Sequence, residues 1–320
     1  VSTAGVPVAS ELEQYRRELT GYCYRMLGSA YEAEDAVQNT MLRAWRALPR
    51  FDDQAGLRPW LYRIATNVCI DALNGRKRRA LPMDVARVGT SEGRLVERRP
   101  ASTWIEPMPD ALVLPPTGDP AERAVAQESV RLAFIAALQR LAPRQRAVLI
   151  LRDVLHWHAA EVATLLETST DSVNSTLRRA RTALEPVDRD TTPSEPADDH
   201  RALLAAYVDA FERDDIDALV VLLRDDAIVE MPPFELWLRG ATDIRTWLIA
   251  HDALRDHALV PLRANGAPAA AVYVPPAPGG LPTAFAIHVL DVVDGRISAI
   301  RSFIDPGLFA LFGLPREHAG

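Results

Sequence analysis

Three arginines close the stretch EVATLLETSTDSVNSTLRRARTAL, residues 161 to 184: Arg178, Arg179 and Arg181. Ahead of them stand Thr170, Ser172, Asn174 and Ser175. Guanidinium groups pair with phosphates, while hydroxyls and amides at the start of a helix can reach base edges. A second basic run, Arg76-Lys77-Arg78-Arg79, lies far upstream. The chain as a whole is nevertheless acidic, with a formal net charge of −7 over 320 residues. Acid gathers at Asp198-Asp199, Asp214-Asp215 and Asp225-Asp226. Any contact with DNA must therefore come from local basic faces, not from bulk charge.

The elements that carry these residues fall into segments. Residues 10 to 79 have apolar positions recurring at three and four, which predicts helices punctuated by Gly28, Pro49 and Gly75. Residues 80 to 121 hold six prolines (Pro82, Pro100, Pro107, Pro109, Pro115 and Pro116) and predict an extended linker, with Trp104-Ile105 as an anchor on a neighbouring surface. Helical periodicity resumes and runs to about 185, followed by a polar linker at 186 to 199. From 200 to 314 two helices precede strand-like runs, and Asp294-Gly295 marks a hairpin. No apolar run is long enough for a membrane helix, and VSTAGVPVASELEQY lacks the features of a secretory signal. Cys23 and Cys69 sit among apolar residues and are expected as buried free thiols.

Residues 159 to 182 fit a helix-turn-helix. Ala160, Val162, Ala163 and Leu166 are expected to form the inner face of its first helix, and Val173 and Leu177 that of its second. Ser169 or Thr170 can cap the second helix, with Asp171 favourable near its N-terminus. This leaves Thr170, Ser172, Asn174, Ser175, Arg178, Arg179 and Arg181 facing outward. A plain helical hairpin with a solvated basic face is the alternative reading.

The phrase ALQRLAPRQRAVLILRDVLHWHAAEVATLL, running into that motif, resembles region 4 of bacterial sigma factors of the extracytoplasmic-function (ECF) type, so 122 to 185 is expected to bind the −35 element. One departure is visible: the turn usually has glycine after the paired leucines, and this chain has Glu167. A left-handed residue without glycine costs up to about 1 kcal/mol. AEDAVQNTMLRAW and RPWLYRIATNVCIDALNGRKRR resemble region 2 of the same family, over 10 to 79. The resemblance implies docking on core RNA polymerase (β and β′ subunits) through Asp35, Gln38, Asn39 and Arg43. It implies −10 promoter contacts through Arg63, Asn67, Asp71, Arg76, Lys77 and Arg78. Trp60 and Tyr62 are either stacking platforms for bases or core aromatics. In the family, the linker between the two regions threads toward the RNA exit path.

Residues 200 to 314 resemble the SnoaL-like branch of the nuclear-transport-factor-2 (NTF2-like) superfamily, a cone with an apolar pocket. The fold class expected is multidomain: two all-α sigma domains followed by an α+β SnoaL/NTF2-like cone domain. Glu230, His288 and Asp305 are candidate polar groups of a pocket, with Met231, Phe234, Trp237, Phe285 and Phe303 as its walls. His288 shares a strand face with Ala284, Ala286 and Leu290, so pocket and core both remain open. Asp305 can instead cap a final turn. No acid–base pair at a telling spacing is visible, and His156 and His158 lack a second ligand pair, so no catalysis, metal or cofactor is expected. The apolar PGLFALFGLP end suggests a domain that contacts other parts of the chain.

The resemblance implies a cytoplasmic initiation factor, with core polymerase and promoter DNA as partners. Its C-terminal domain would modulate activity in cis by contact with regions 2 and 4, and a small-molecule ligand of that domain is a further candidate partner. The rivals are a SnoaL-like enzyme tethered to DNA and a ligand-gated repressor acting without polymerase.

Overall fold

The computed structural model describes residues 9–51, 56–96, 98–115, 119–184, 200–275 and 280–318. The polar linker expected at 186 to 199 lies outside the described residues. In chain order the first helices are α1 (Ala9–Glu13), α2 (Arg16–Leu27), α3 (Ala30–Ala47), α4 (Leu57–Leu73), α5 (Pro82–Val85), α6 (Asp110–Val113) and α7 (Pro120–Glu128). Then come α8 (Leu132–Gln139), α9 (Pro143–Leu149), α10 (Ala159–Leu165), α11 (Thr170–Leu184), α12 (His200–Glu212), α13 (Ile216–Val221) and α14 (Ala241–Ala250). The chain divides into two compact units, residues 1–78 with 111–188, and residues 79–110 with 189–320.

The first unit is helical. Gly28 ends α2 in the left-handed region at φ 69°, and its N–H donates to Tyr24. Ser29 then caps α3, its hydroxyl accepting from the Glu32 N–H at 3.2 Å. The inner face of α3 consists of small residues, Ala33, Ala36, Val37, Thr40 and Ala44, which let α2 and α4 approach closely. Tyr22 and Tyr62 fill the space between α2 and α4 with ring centroids 5.1 Å apart, and the Tyr22 hydroxyl bonds Thr66 at 2.8 Å. Cys23 and Cys69 are buried free thiols, as expected. A hydrogen bond with Cys23, together with burial, pushes the Cys69 thiol up, so it is unreactive.

Helices α8 to α11 pack against this bundle. Arg146, at the start of α9, is buried. Its guanidinium donates to the Met26 carbonyl on α2, to Gln139 Oε1 at 2.7 Å and to the carbonyls of Gln139 and Leu141. Burial lowers its pKa to about 10, so it remains charged at neutral pH. Arg25 reaches the other way, donating to the Ser129 hydroxyl at 2.7 Å. Trp157 packs on Tyr62, with centroids 4.9 Å apart.

The second unit holds a six-stranded sheet in the order β2-β1-β6-β5-β4-β3. Its strands are β1 (Leu223–Glu230), β2 (Trp237–Arg239), β3 (Ala258–Ala264), β4 (Ala267–Val274), β5 (Thr283–Val293) and β6 (Arg296–Phe303). All neighbours are antiparallel except β1 and β6. Asp294 and Gly295 both take positive φ (51° and 69°) in the turn between β5 and β6, which is the hairpin expected from the sequence. Helix α12 packs on β3 and β4, and α14 on β1 and β2. The apolar end forms a 3-10 turn, Pro306–Phe312, whose Leu308 and Phe309 are buried. Phe309 meets Tyr273 edge to face at 5.0 Å, within the same unit.

The segment expected as one extended linker divides at residue 110, and its first part is fastened along the second unit. The Met83 N–H donates to Glu230 at 3.0 Å. Trp237 donates its indole N–H to the Ala86 carbonyl, and the Gly89 N–H donates to the Trp237 carbonyl at 2.8 Å. Trp247 donates to the Gly93 carbonyl at 2.7 Å. Arg99 pairs with Glu235. Met108 and Asn265 exchange two hydrogen bonds, and Asp110 accepts from Arg263 and from the Gly266 N–H. Trp104-Ile105 are buried as an anchor: Ala80 bridges Trp104, and the Arg79 guanidinium donates to the Trp104 carbonyl at 2.5 Å. Prolines limit this segment to short helical turns, among them α5, and several of its backbone N–H and C=O groups find partners on the rest of the unit.

Candidate nucleic-acid interface

Helix α11 is amphipathic. Val173, Leu177 and Ala180 face inward. Thr170, Ser172, Asn174, Arg178, Arg179 and Arg181 are exposed, and Ser175 is half-buried. Ser169 is the cap, its hydroxyl accepting from the Ser172 N–H at 3.1 Å. Glu167 sits in the turn at φ 52°, the left-handed conformation for which glycine is favoured. One part of the expected inner face of α10 differs. Val162, Ala163 and Leu165 are buried, whereas Ala160 is exposed and Leu166 is half-buried. Helix α10 ends at Leu165, so Leu166 leaves the helical phase that would have turned it inward. At the far end of α11, Arg181 makes a two-pronged pair with Asp153 at 2.6 and 2.9 Å. That pair partly neutralises the arginine, leaving Arg178 and Arg179 as the more available guanidinium groups of the helix.

On α4, Arg63, Asn67 and Asp71 lie four residues apart and are all exposed, so they form one stripe. Arg76, Lys77 and Arg78 continue from its end, also exposed. Three of these six residues are engaged within the unit: Arg63 with Glu167 at 3.5 Å, Asp71 with Arg43 at 3.7 Å, and Arg76 with Glu32. Tyr62 is a core aromatic, fully buried, with its hydroxyl donating to Glu18 at 2.7 Å. Trp60 is half-buried against Phe51 at 4.9 Å.

On α3, Asp35, Gln38, Asn39 and Arg43 are exposed on one face. Two residues that sequence reasoning passed over share it: Leu42, 49% exposed, and Trp45, 56% exposed. Both are large apolar side chains left in water on a helix whose other face is well packed. The sequence signal was present, because the inner face of α3 is complete without either residue.

In the second unit a cavity of about 600 Å³ opens between the helices and the sheet. Of the expected pocket residues, Met231, Phe285 and His288 line it. Glu230, Phe234, Trp237, Phe303 and Asp305 do not. Glu230 and Phe303 neighbour cavity-lining residues on β1 and β6, and strand alternation sends them to the other face. Glu230 is instead fully buried there, paired with Arg301 at 2.8 Å. Burial raises its pKa, opposed by Arg301. Trp237 is tied to the 79–110 segment, and Phe234 bridges Arg98 of the same segment. Asp305 caps the last turn, accepting from the Gly307 N–H at 2.9 Å. The Nδ1 of His288 lies 2.8 Å from the Tyr207 hydroxyl. Burial lowers the His288 pKa to about 3, so the ring is neutral.

The comparisons with known proteins bear on both units. Residues 12–79 match Sigma-70 region 2, residues 131–184 match Sigma-70, region 4, and residues 204–300 match the SnoaL-like domain. The ECF RNA polymerase sigma factor SigG of Mycobacterium tuberculosis is 49% identical over 96% of this chain and 84% of its own length. The probable ECF RNA polymerase sigma factor SigI of the same organism is 26% identical, covering 94% of each chain. Among solved structures, the Mycobacterium tuberculosis extracytoplasmic function sigma factor SigJ covers 97% of this chain and 100% of its own, with a TM-score of 0.62 and 25% identity.

The chain therefore belongs to the ECF RNA polymerase sigma factors, proteins of transcription initiation. Its architecture is the one expected: helical regions 2 and 4, then a SnoaL-like domain with a mixed sheet. Among the described residues, no helix is long and apolar enough to cross a membrane.

Proposed function

We propose that the chain recruits core RNA polymerase through the exposed face of α3 and brings it to promoters in the cytoplasm. Asp35, Gln38, Asn39 and Arg43, with Leu42 and Trp45, meet the polymerase. The Arg63-Asn67-Asp71 stripe and Arg76 to Arg78 engage the opened −10 element by phosphate attraction. Helix α11 reads the −35 duplex, with Thr170, Ser172, Asn174 and Ser175 toward base edges and the arginines toward phosphates. The observation that carries this reading is α11 itself: a capped helix with polar early turns and exposed arginines at its far end. The polymerase performs the chemistry, and the sigma chain performs none.

The two readers must also part. The −10 and −35 elements are about 25 base pairs apart, roughly 85 Å of duplex at 3.4 Å per step. A compact unit of this size has a radius of gyration of only about 15 Å. The packing of α4 against α9 and α10, with the Arg63–Glu167 pair, supports a closed resting form. Acidic groups then occupy the −10 face until polymerase and promoter replace them. The C-terminal unit modulates this in cis by holding residues 79–110, the tether between the readers.

The test is run-off transcription with purified core polymerase and promoters selected from genomic DNA. The full chain should give promoter-specific transcript, and Arg178→Ala with Arg179→Ala should cut it by roughly tenfold or more without loss of core binding. A chain that binds duplex promoter tightly alone and never supports transcript would favour a repressor and overturn the reading.

A further inference from the structure

The basic run Arg76-Lys77-Arg78-Arg79 reads in the sequence as four equivalent cations, and the structure divides it. Arg76, Lys77 and Arg78 are exposed, whereas Arg79 is 7% exposed and Ala80 3%. The switch from water to interior falls within one peptide bond. It coincides with the boundary between the two compact units, so Arg79 belongs to the second.

Arg79 is bound within its own unit. The Nη1 of its guanidinium donates to the Ala101 carbonyl at 2.9 Å and to the Trp104 carbonyl at 2.5 Å. Glu106, with a side chain only 14% exposed, stands 3.8 Å away. The neighbouring backbone is paired as well. The Ala80 N–H donates to the Thr103 carbonyl at 3.0 Å, and the Ile105 N–H to the Ala80 carbonyl at 3.1 Å. Side chain and backbone therefore fasten residues 79 and 80 to the same turn, 101–106. A cation sunk among carbonyls beside a carboxylate is already satisfied and is withdrawn from phosphate.

The other end of the run is tied by α4. The Arg76 N–H donates to the Leu73 carbonyl at 3.3 Å, Gly75 turns the chain at φ 76°, and the Arg76 side chain pairs with Glu32. Lys77 and Arg78 lie between the two ties. The Arg78 Cα is one trans peptide, about 3.8 Å, from a fastened neighbour. Ligands held near their binding direction lose less freedom on binding than ligands on a free loop.

We propose that Arg79 is a positioning residue for the −10 contact. It meets no DNA itself. By clamping residues 79 and 80 to the 101–106 turn, it fixes the direction in which Arg78 and Lys77 leave the second unit. This role rests on the reading of residues 76–78 as −10 ligands and deepens it. Arginine suits the task because its guanidinium reaches both carbonyls. A lysine ammonium is one bond shorter and more strongly hydrated, so it is costlier to bury there.

The experiment uses holoenzyme, core polymerase with the full chain. The probe is fork-junction DNA, duplex through the −35 element and single-stranded across the −10 element, taken from a promoter that gives run-off transcript. Equilibrium binding is measured over a series of salt concentrations. Arg78→Ala should weaken binding and flatten the salt slope by about 0.7, the share of one single-strand phosphate. Arg79→Leu and Arg79→Lys should each weaken binding roughly fivefold with the slope unchanged, because the same phosphates are met by less ordered ligands. Hydrogen exchange at the Ala80 and Ile105 amides should speed up in both. Thermal unfolding records that each variant is folded, and Arg79→Lys carries the test if Arg79→Leu is not. Unchanged affinity in Arg79→Lys alone, or a flattened slope in either Arg79 variant, makes Arg79 a phosphate ligand and overturns the clamp. Unchanged affinity in both makes the residue purely structural and overturns it equally. Unchanged affinity in Arg78→Ala removes the −10 reading of the run and the positioning role with it, so the two failures are told apart.

Discussion

At the scale of single residues, two buried or strained groups make opposite statements about stability. Glu167 holds a left-handed φ that costs an L-residue about 1 kcal/mol. Its exposed pair with Arg63 returns little, because such pairs are worth about 0–1 kcal/mol. Glu167→Gly should therefore raise the stability of the first unit by up to about 1 kcal/mol in urea denaturation. His288 works through pH. Its folded pKa of about 3 lies below the unfolded value near 6.5, so between these values only the unfolded chain takes up the proton. Stability should fall as pH drops below about 6.5. The His288 contribution from pH 6.5 to 4.5 is about 2–3 kcal/mol. It is read as the difference between the native chain and His288→Gln across that window, and a parallel pH profile for the two would contradict it.

Residue-level reading of the sequence succeeded where one side chain decides a conformation, as with Gly28, Asp294-Gly295 and the Ser169 cap. It faltered in the cavity. Alternation along β1 and β6 separates two faces but does not say which one is concave, so Glu230 and Phe303 were grouped with Met231 and His288. A β-bulge between Asp291 and Val292 further shifts the pairing of β5 with β6, and no local pattern announces it.

At the scale of elements, α3 and α11 were legible because each has an apolar stripe at helical spacing beside a polar face. Helix α14 and strands β2 and β3 were not. β2 has only three residues, and β3 carries Pro261 and Arg263 within a weak alternation. The exposed pair on α3 leads to a clear expectation. Trp45→Ala should leave the fold intact, since the side chain is half in water, yet weaken core polymerase binding. A central interface tryptophan is commonly worth about 2 kcal/mol, roughly thirtyfold in affinity. Equilibrium binding to core polymerase, with thermal unfolding as the control, checks both halves.

The linker is the second element with a consequence. Glu230 has no exposure, and it joins Arg301 to the Met83 N–H. Burial lowers the pKa of Arg301, but Asp291 and Glu230 more than offset this and raise it. Glu230→Ala would leave Arg301 with one carboxylate and Met83 without its acceptor. Breaking a buried pair costs about 3–5 kcal/mol. Protease cleavage within residues 79–110 should accelerate in that variant. Equal cleavage rates would mean that Glu230 does not hold the linker.

At the scale of the whole molecule, an acidic chain that reads DNA ceases to be a contradiction. The basic residues proposed to meet DNA lie on α4, its extension and α11, and several are already paired with Asp153, Glu167 or Glu32. On the proposed reading, such a chain has weak affinity for DNA by itself and gains it when polymerase spreads the two readers. Sequence periodicity announced both readers but not their packing on each other. That packing depends on buried arginines, Arg25 and Arg146, each of which has a partner more than a hundred residues away.

The measurement that bears most directly on this account is the distance between the two readers. Donor and acceptor dyes would be placed at exposed positions outside the proposed contact faces, Arg17 on α2 and Ala183 on α11, with the native cysteines buried. The free chain should give efficient transfer. Addition of core polymerase and promoter DNA should abolish it, as the readers move toward a separation on the order of 85 Å. Transfer that stays high in a transcribing complex would contradict the closed-to-open account.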